Sequence, residues 1–126
     1  MPNPTKHRIL LVEDEPSIRK MYLFKLKESD YETMAAANGK EGLEIAESWQ
    51  PHIILLDLHM PIMSGDKMLE RLRNQEWGAE IRVIILTNIS KSEAPSILRF
   101  LNVDRYIVKA HTTPGEVVKH IQEVLN

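Results

Sequence analysis

An aspartate that closes a run of four aliphatic residues, Ile53-Ile54-Leu55-Leu56-Asp57, is the residue in this chain best placed to do chemistry. Four consecutive aliphatics mark a strand buried on both faces, so Asp57 lies where such a strand surfaces. Two more apolar runs stop at charged residues: Ile9-Leu10-Leu11-Val12 at Glu13-Asp14-Glu15, and Tyr106-Ile107-Val108 at Lys109. Val83-Ile84-Ile85-Leu86 ends in the same way at Thr87. If these strands are parallel, their ends converge at the carboxyl edge of one sheet, where open α/β folds bind ligands. Carboxylates, a lysine and a hydroxyl gathered there make a place to hold a divalent cation and a phosphoryl group.

Magnesium takes oxygen ligands in octahedral geometry, usually one or two carboxylates with waters and phosphate, and Glu13, Asp14 and Asp57 can supply the carboxylates. Carboxylates about 4 Å apart repel by roughly 4 kcal/mol per pair at an effective dielectric near 20. Such a cluster therefore holds a proton or attracts a cation. A cation also cancels charge on an incoming phosphoryl group, which lets one carboxylate attack phosphorus. Asp57 suits that role because it alone ends the central buried run. Lys109 would meet a phosphoryl oxygen as a point charge, and the Thr87 hydroxyl would bond another.

The elements that must position these residues follow from periodicity. Short apolar runs alternate with amphipathic stretches, the pattern of repeated βα units and a five-stranded parallel sheet in an α/β fold. Strands are expected near residues 8–12, 31–36, 53–57, 82–86 and 105–108, with five helices between and after them. Thr113-Pro114-Gly115-Glu116 carries an N-cap threonine, a proline at the first helical position and a glutamate at the third, a capping box. Asn38-Gly39-Lys40-Glu41 opens the second helix similarly, and the first begins near Pro16 with Ile18, Tyr22 and Leu26 on one side. Ser90-Lys91-Ser92-Glu93 predicts the start of a fourth helix, delayed to Ser92 by Pro95.

A chain of 126 residues, 43% hydrophobic and 27% charged, is the size of one globular domain, here taken as 1–126. Sixteen basic against 18 acidic residues give a net charge of -2, and the basic ones are scattered, which argues against nucleic acid or an anionic membrane as a partner. Without cysteine, a membrane-length apolar run or a basic-then-apolar segment behind Met1-Pro2-Asn3-Pro4, the expected location is cytoplasmic.

Read together, Ile9-Leu-Leu-Val-Glu-Asp-Glu-Pro16, the stretch from Ile53 through Asp57, His59 and Pro61 to Gly65, Val83-Ile-Ile-Leu-Thr87 and Asp104-Arg-Tyr-Ile-Val-Lys109 resemble the receiver domain of two-component response regulators. The resemblance covers nearly the whole chain. It implies a doubly wound (βα)5 domain of flavodoxin-like topology with strand order 2-1-3-4-5. It implies that Asp57 accepts a phosphoryl group from the phosphohistidine of a sensor histidine kinase or a phosphotransfer protein. It implies that Mg²⁺ is held by Glu13, Asp14, Asp57 and the backbone carbonyl of His59. Thr87 and Tyr106 look like the family's switch pair, which would change the partner affinity of the surface formed by the fourth helix, fifth strand and fifth helix. Such a domain is not an enzyme, though it assists its own phosphoryl transfer and autodephosphorylation. Its output, with no effector segment after Asn126, would run through binding unless the stretch is cut from a longer protein.

Four positions depart from the family's habit. Ala110 stands where proline usually follows the lysine in a cis peptide, so either a strained bond or a different loop is expected there. Asn88 replaces a small residue and would narrow access to Asp57, Asn102 replaces a glycine, and Arg105 replaces a frequent acidic residue. His59 and Ile89 hold positions that tune the lifetime of the phosphoryl group in this family, and Ile89, apolar and branched, is expected to shield it from water.

Three other functions compete. An aspartate-nucleophile phosphatase like the haloacid dehalogenases wants a second aspartate where this chain has His59, and a capping domain for which there is no room. A flavodoxin-like cofactor binder needs phosphate donors where this chain has Glu13-Asp14-Glu15. A receiver-like scaffold that binds partners without phosphorylation is kept open by Ala110 and Asn88. Bland readings also exist for single residues: Lys109 as a solvated strand end, Tyr106 as packing surface, and the five histidines as structural or exposed. Their conjunction at one sheet edge outweighs these.

Overall fold

A computed structural model describes residues 6–126; the leading Met1-Pro2-Asn3-Pro4 lies outside the described residues. Five strands, β1 Arg8–Val12, β2 Glu32–Ala36, β3 Ile53–Leu56, β4 Arg82–Thr87 and β5 Arg105–Val108, form one parallel sheet in the order β2-β1-β3-β4-β5. The order is the one the resemblance implies. Pairing runs Val12 against both Ala36 and Leu56, Leu56 against Ile85, and Thr87 against Val108. Every strand therefore points its carboxyl end at the same edge.

The unbroken aliphatic runs have a physical reason, because alternate residues of β1, β3 and β4 feed two separate cores. Leu10, Val12, Ile54, Leu56, Val83 and Ile85 pack under α2 (Gly39–Trp49) and α3 (Gly65–Arg73). Ile9, Leu11, Ile53, Leu55, Ile84, Leu86 and Ile107 pack under α1 (Pro16–Glu28) and α4 (Pro114–Leu125). Full burial of a Leu or Ile side chain contributes about 1.5–3 kcal/mol, and β3 is enclosed along its whole length. The strand that delivers Asp57 is thus the best anchored in the sheet. Met60, Met63, Trp49 and Trp77 are packing residues of the first core.

Helix starts follow their caps. Asn38 Oδ1 accepts the Glu41 N–H at 2.9 Å, and Thr113 and Glu116 close a capping box around the start of α4. In α1 it is Glu15 that caps, accepting the Ile18 N–H at 2.9 Å, which leaves Glu13 and Asp14 free of that duty. Gly65 permits a close approach: a Cβ there would stand 2.0 Å from the carbonyl oxygen of Asp57.

The fourth helix expected between β4 and β5 is not α-helical. Ser90 and Glu93 do pair, side chain to side chain at 3.1 Å, but the turn they open is a 3-10 segment of three residues, Lys91–Glu93. Pro95 forces its predecessor out of the helical region, and Ala94 is extended at φ -66, ψ 149. The chain then makes a second 3-10 segment, Ser96–Phe100, and leaves it through Asn102 in the left-handed conformation at φ 52. An asparagine tolerates that conformation. Arg73, reaching over from α3, holds the end of this connection by donating to the carbonyls of Leu101 and Asn102 at 2.7 and 2.9 Å.

Candidate functional site

Glu13, one residue past β1, is 2% exposed, and Asp57, one residue past β3, is 7% exposed. The Asp57 N–H donates to the Val12 carbonyl at 3.1 Å, which ties the two acidic turns together. Carboxylate oxygens of Glu13, Asp14 and Asp57 lie within 4.8 Å of one another, a spacing that one cation could bridge. Lys109, just past β5, reaches into this cluster. Its Nζ donates to Asp57 Oδ2 at 3.1 Å and pairs with Glu13 Oε1. The other Asp57 oxygen, Oδ1, accepts the Leu58 N–H at 2.7 Å, so both oxygens of this side chain are oriented.

The electrostatics follow from burial and pairing. Burial pushes the Glu13 carboxyl above its usual range, and the Lys109 ammonium and the Glu15 N–H only partly offset it. Burial alone would lower Lys109, but its bonds to Glu13 and Asp57 outweigh that and hold the ammonium above its ordinary value. Lys109 is therefore a fixed positive charge beside Asp57. Arg19, which the sequence does not single out, donates to the carbonyls of Glu13 and Asp14 at 2.9 and 3.2 Å and fixes the acidic turn from α1.

Thr87 ends β4 with 1% exposure, and its hydroxyl accepts a long 3.4 Å bond from the Ile89 N–H. Tyr106 is half-buried against the core, and its hydroxyl donates to the Ile89 carbonyl at 2.7 Å. Thr87 and Tyr106 thus meet the same short loop. All of Glu13, Asp14, Asp57, His59, Thr87 and Lys109 line one open cleft of about 950 Å³. Ser90 and Glu93 of the expected fourth-helix start line it too, as do Ser64 and Asp66, which the sequence does not single out. The His59 side chain is exposed. No histidine joins a group able to hold a metal among the described residues.

The loop after β5 answers the question posed by Ala110. The described residues contain no cis peptide, so the Lys109–Ala110 bond is trans. Lys109–His111 form a 3-10 turn in which the Thr112 N–H donates to the Lys109 carbonyl at 3.2 Å. The Ala110 N–H, which a proline would lack, donates to Asn88 Oδ1 at 3.1 Å. Arg105 is also accounted for: its guanidinium bonds Glu123 at 2.9 Å and His120 at 3.0 Å, joining β5 to α4.

Residues 9–122 match the family model described as the response regulator receiver domain. The chain belongs to this family. Receiver domains are the phosphoacceptor signalling modules of two-component systems. This receiver is 33% identical over 120 residues to the probable transcriptional regulator ycf27 of Porphyridium aerugineum, covering 95% of this chain and 48% of that protein. It is 31% identical to the nitrate/nitrite response regulator protein NarL of Escherichia coli K12, covering 98% of this chain and 56% of NarL. The receiver spans about half the length of the curated relatives it matches. Among solved structures, a CheY-like receiver domain protein from Methanospirillum hungatei JF-1 superposes with a TM-score of 0.87 at 27% identity, covering 96% of this chain and 94% of that one.

Proposed function

We propose that this receiver is phosphorylated on Asp57 in a Mg²⁺-dependent reaction and signals by changing its protein contacts. The observation that carries the reading is the Asp57 carboxylate itself, only 7% exposed, oriented by Leu58 and Lys109, yet facing an open cleft. An oxygen of Asp57 attacks the phosphorus of a phosphohistidine on a sensor histidine kinase or phosphotransfer protein. The P–O bond to Asp57 forms as the P–N bond breaks, and the electron pair returns to the imidazole, which takes up a proton. Such transfers run through a loose transition state in which positioning and charge stabilisation do most of the work. Lys109 supplies a positive charge for a phosphoryl oxygen, and Thr87 supplies a hydroxyl.

Glu13, Asp14, Asp57 and the His59 backbone carbonyl would hold the Mg²⁺. The donor set fits a hard cation, since it is all oxygen and includes a Glu13 charge that burial disfavours. When bound, the ion neutralises charge on the carboxylates and on phosphoryl oxygens. Phosphorylation would draw the Thr87 hydroxyl toward the phosphoryl group and act on Tyr106 through the loop both residues touch. The output surface is then the 3-10 connection, β5 and α4. With its basic side chains scattered, this stretch is assigned protein partners and no nucleic-acid or membrane contact. We place it in the cytoplasm as one receiver domain; no helix of the described residues is long and apolar enough to cross a membrane.

Borohydride reduction of phosphodonor-treated protein tests the assignment, because it converts an aspartyl phosphate to homoserine. Peptide mapping is expected to find homoserine at position 57. Homoserine at another aspartate, or phosphate retained on a histidine or serine, would overturn it.

A further inference from the structure

The geometry points to Asn88 as a positioning residue for Lys109. The parallel ladder between β4 and β5 ends at the pair Thr87 and Val108. One residue further on, the Asn88 side chain continues the tie where the backbone no longer does, with Oδ1 accepting the Ala110 N–H at 3.1 Å. The peptide group joining Lys109 to Ala110 thereby has both its polar atoms engaged, since its carbonyl accepts the Thr112 N–H at 3.2 Å. A peptide plane bonded on both sides fixes where the Lys109 side chain departs. Lys109 is in turn the ammonium 3.1 Å from Asp57 Oδ2.

Two residues that look like separate departures from the family's pattern are thus one device. Alanine at 110 supplies the N–H that proline lacks, and asparagine at 88 supplies the oxygen that a small residue lacks. The same side chain stands on the residue after Thr87, so the lysine turn and the switch hydroxyl are linked through one residue of loop. Asn88 touches no reacting atom. It acts through Lys109, and the inference rests on the proposed role of Lys109 in phosphoryl transfer.

Loss of this hydrogen bond is expected to slow transfer by about 2- to 10-fold, which is about 0.4–1.4 kcal/mol in the barrier. The experiment has two readouts on the full chain. Amide hydrogen exchange followed by NMR is expected to show the Ala110 N–H protected in the wild type and unprotected in Asn88→Ala. In parallel, formation of the phosphoryl adduct from acetyl phosphate is timed across Mg²⁺ concentrations for the wild type, Asn88→Ala, Ala110→Pro and the double variant. Asn88→Ala is expected to lower the maximal rate while leaving the Mg²⁺ concentration for half-maximal rate unchanged. In the Ala110→Pro background, which has no N–H to hold, Asn88→Ala is expected to change nothing further. An unprotected Ala110 amide in the wild type would overturn the inference. So would an unchanged or faster rate in Asn88→Ala, or equal slowing in both backgrounds, which would make Asn88 a matter of access to the cleft. If the wild type takes up no phosphoryl group, the functional reading fails, while the exchange data still judge the hydrogen bond.

Discussion

At the scale of single residues, Glu13 and Ile89 give the sharpest expectations. Burial raises the Glu13 carboxyl above its ordinary value of 4.5. Between that value and the raised one the native protein binds more protons than the unfolded chain, so the Glu13 contribution to stability falls as pH rises through this window. In metal-free protein, the stability of the wild type relative to Glu13→Gln is therefore expected to decline as pH rises upward from 4.5. Urea unfolding of both proteins across that range checks the slope, and a difference that grows in favour of the wild type would count against it. Lys109 has the same sign in an alkaline window. Its raised ammonium contributes stability that is fully present below 10.5 and lost as pH rises through the higher native value. Ile89, half-buried at the cleft, is expected to exclude water from the acyl phosphate. Ile89→Ala should then lose its phosphoryl group several-fold faster, about 1 kcal/mol off the barrier, in a timed dephosphorylation assay. Asp57, Thr87 and Lys109 were legible because each ends an apolar run. Arg19 and the partnership of Asn88 with Ala110 were not, because they depend on contacts between segments that no run or spacing announces.

At the scale of elements, start signals succeeded where no later residue in the chain contradicted them. Thr113 and Asn38 cap the helices their sequences announce. Ser90 and Glu93 announce one too, yet Pro95 sits where the first turn must continue, and the result is two 3-10 segments. The hydroxyl and carboxylate of a start signal stabilise one turn. They cannot supply the N–H that proline lacks. Gly65 shows how an element sets the site from behind. At the first turn of α3 it lies against the Asp57 carbonyl, and a methyl there meets backbone that cannot yield. Gly65→Ala is expected to cost about 1–3 kcal/mol or more and to slow phosphorylation, since Asp57 is displaced together with its peptide. A thermal melt and an adduct-formation assay on the same preparation check both effects.

At the scale of the whole molecule, a sheet buried on both faces brings four strand ends to one edge, and the site is the consequence of that convergence. The parallel sheet and its burial on both faces were readable from unbroken aliphatic runs alternating with amphipathic stretches, while the strand order came from the resemblance to receiver domains and not from the runs themselves. Under the proposed function, the clustered carboxylates would couple stability to the ion. Mg²⁺ at a hundredfold excess over its dissociation constant is expected to stabilise the native state by about 2.7 kcal/mol, and Asp14→Asn should lose most of that gain in a melt with and without Mg²⁺. Under the proposed function, phosphorylation would bias partner binding only by as much as it favours one arrangement of the output surface, so every downstream effect would depend first on a phosphoryl group arriving at Asp57. The most direct test is intact-protein mass spectrometry after incubation with a small-molecule phosphodonor, with and without Mg²⁺, on the wild type and Asp57→Asn. One Mg²⁺-dependent phosphoryl adduct, absent from the variant, is the predicted result. No adduct on protein shown separately to bind Mg²⁺, or an adduct that persists in Asp57→Asn, would contradict it.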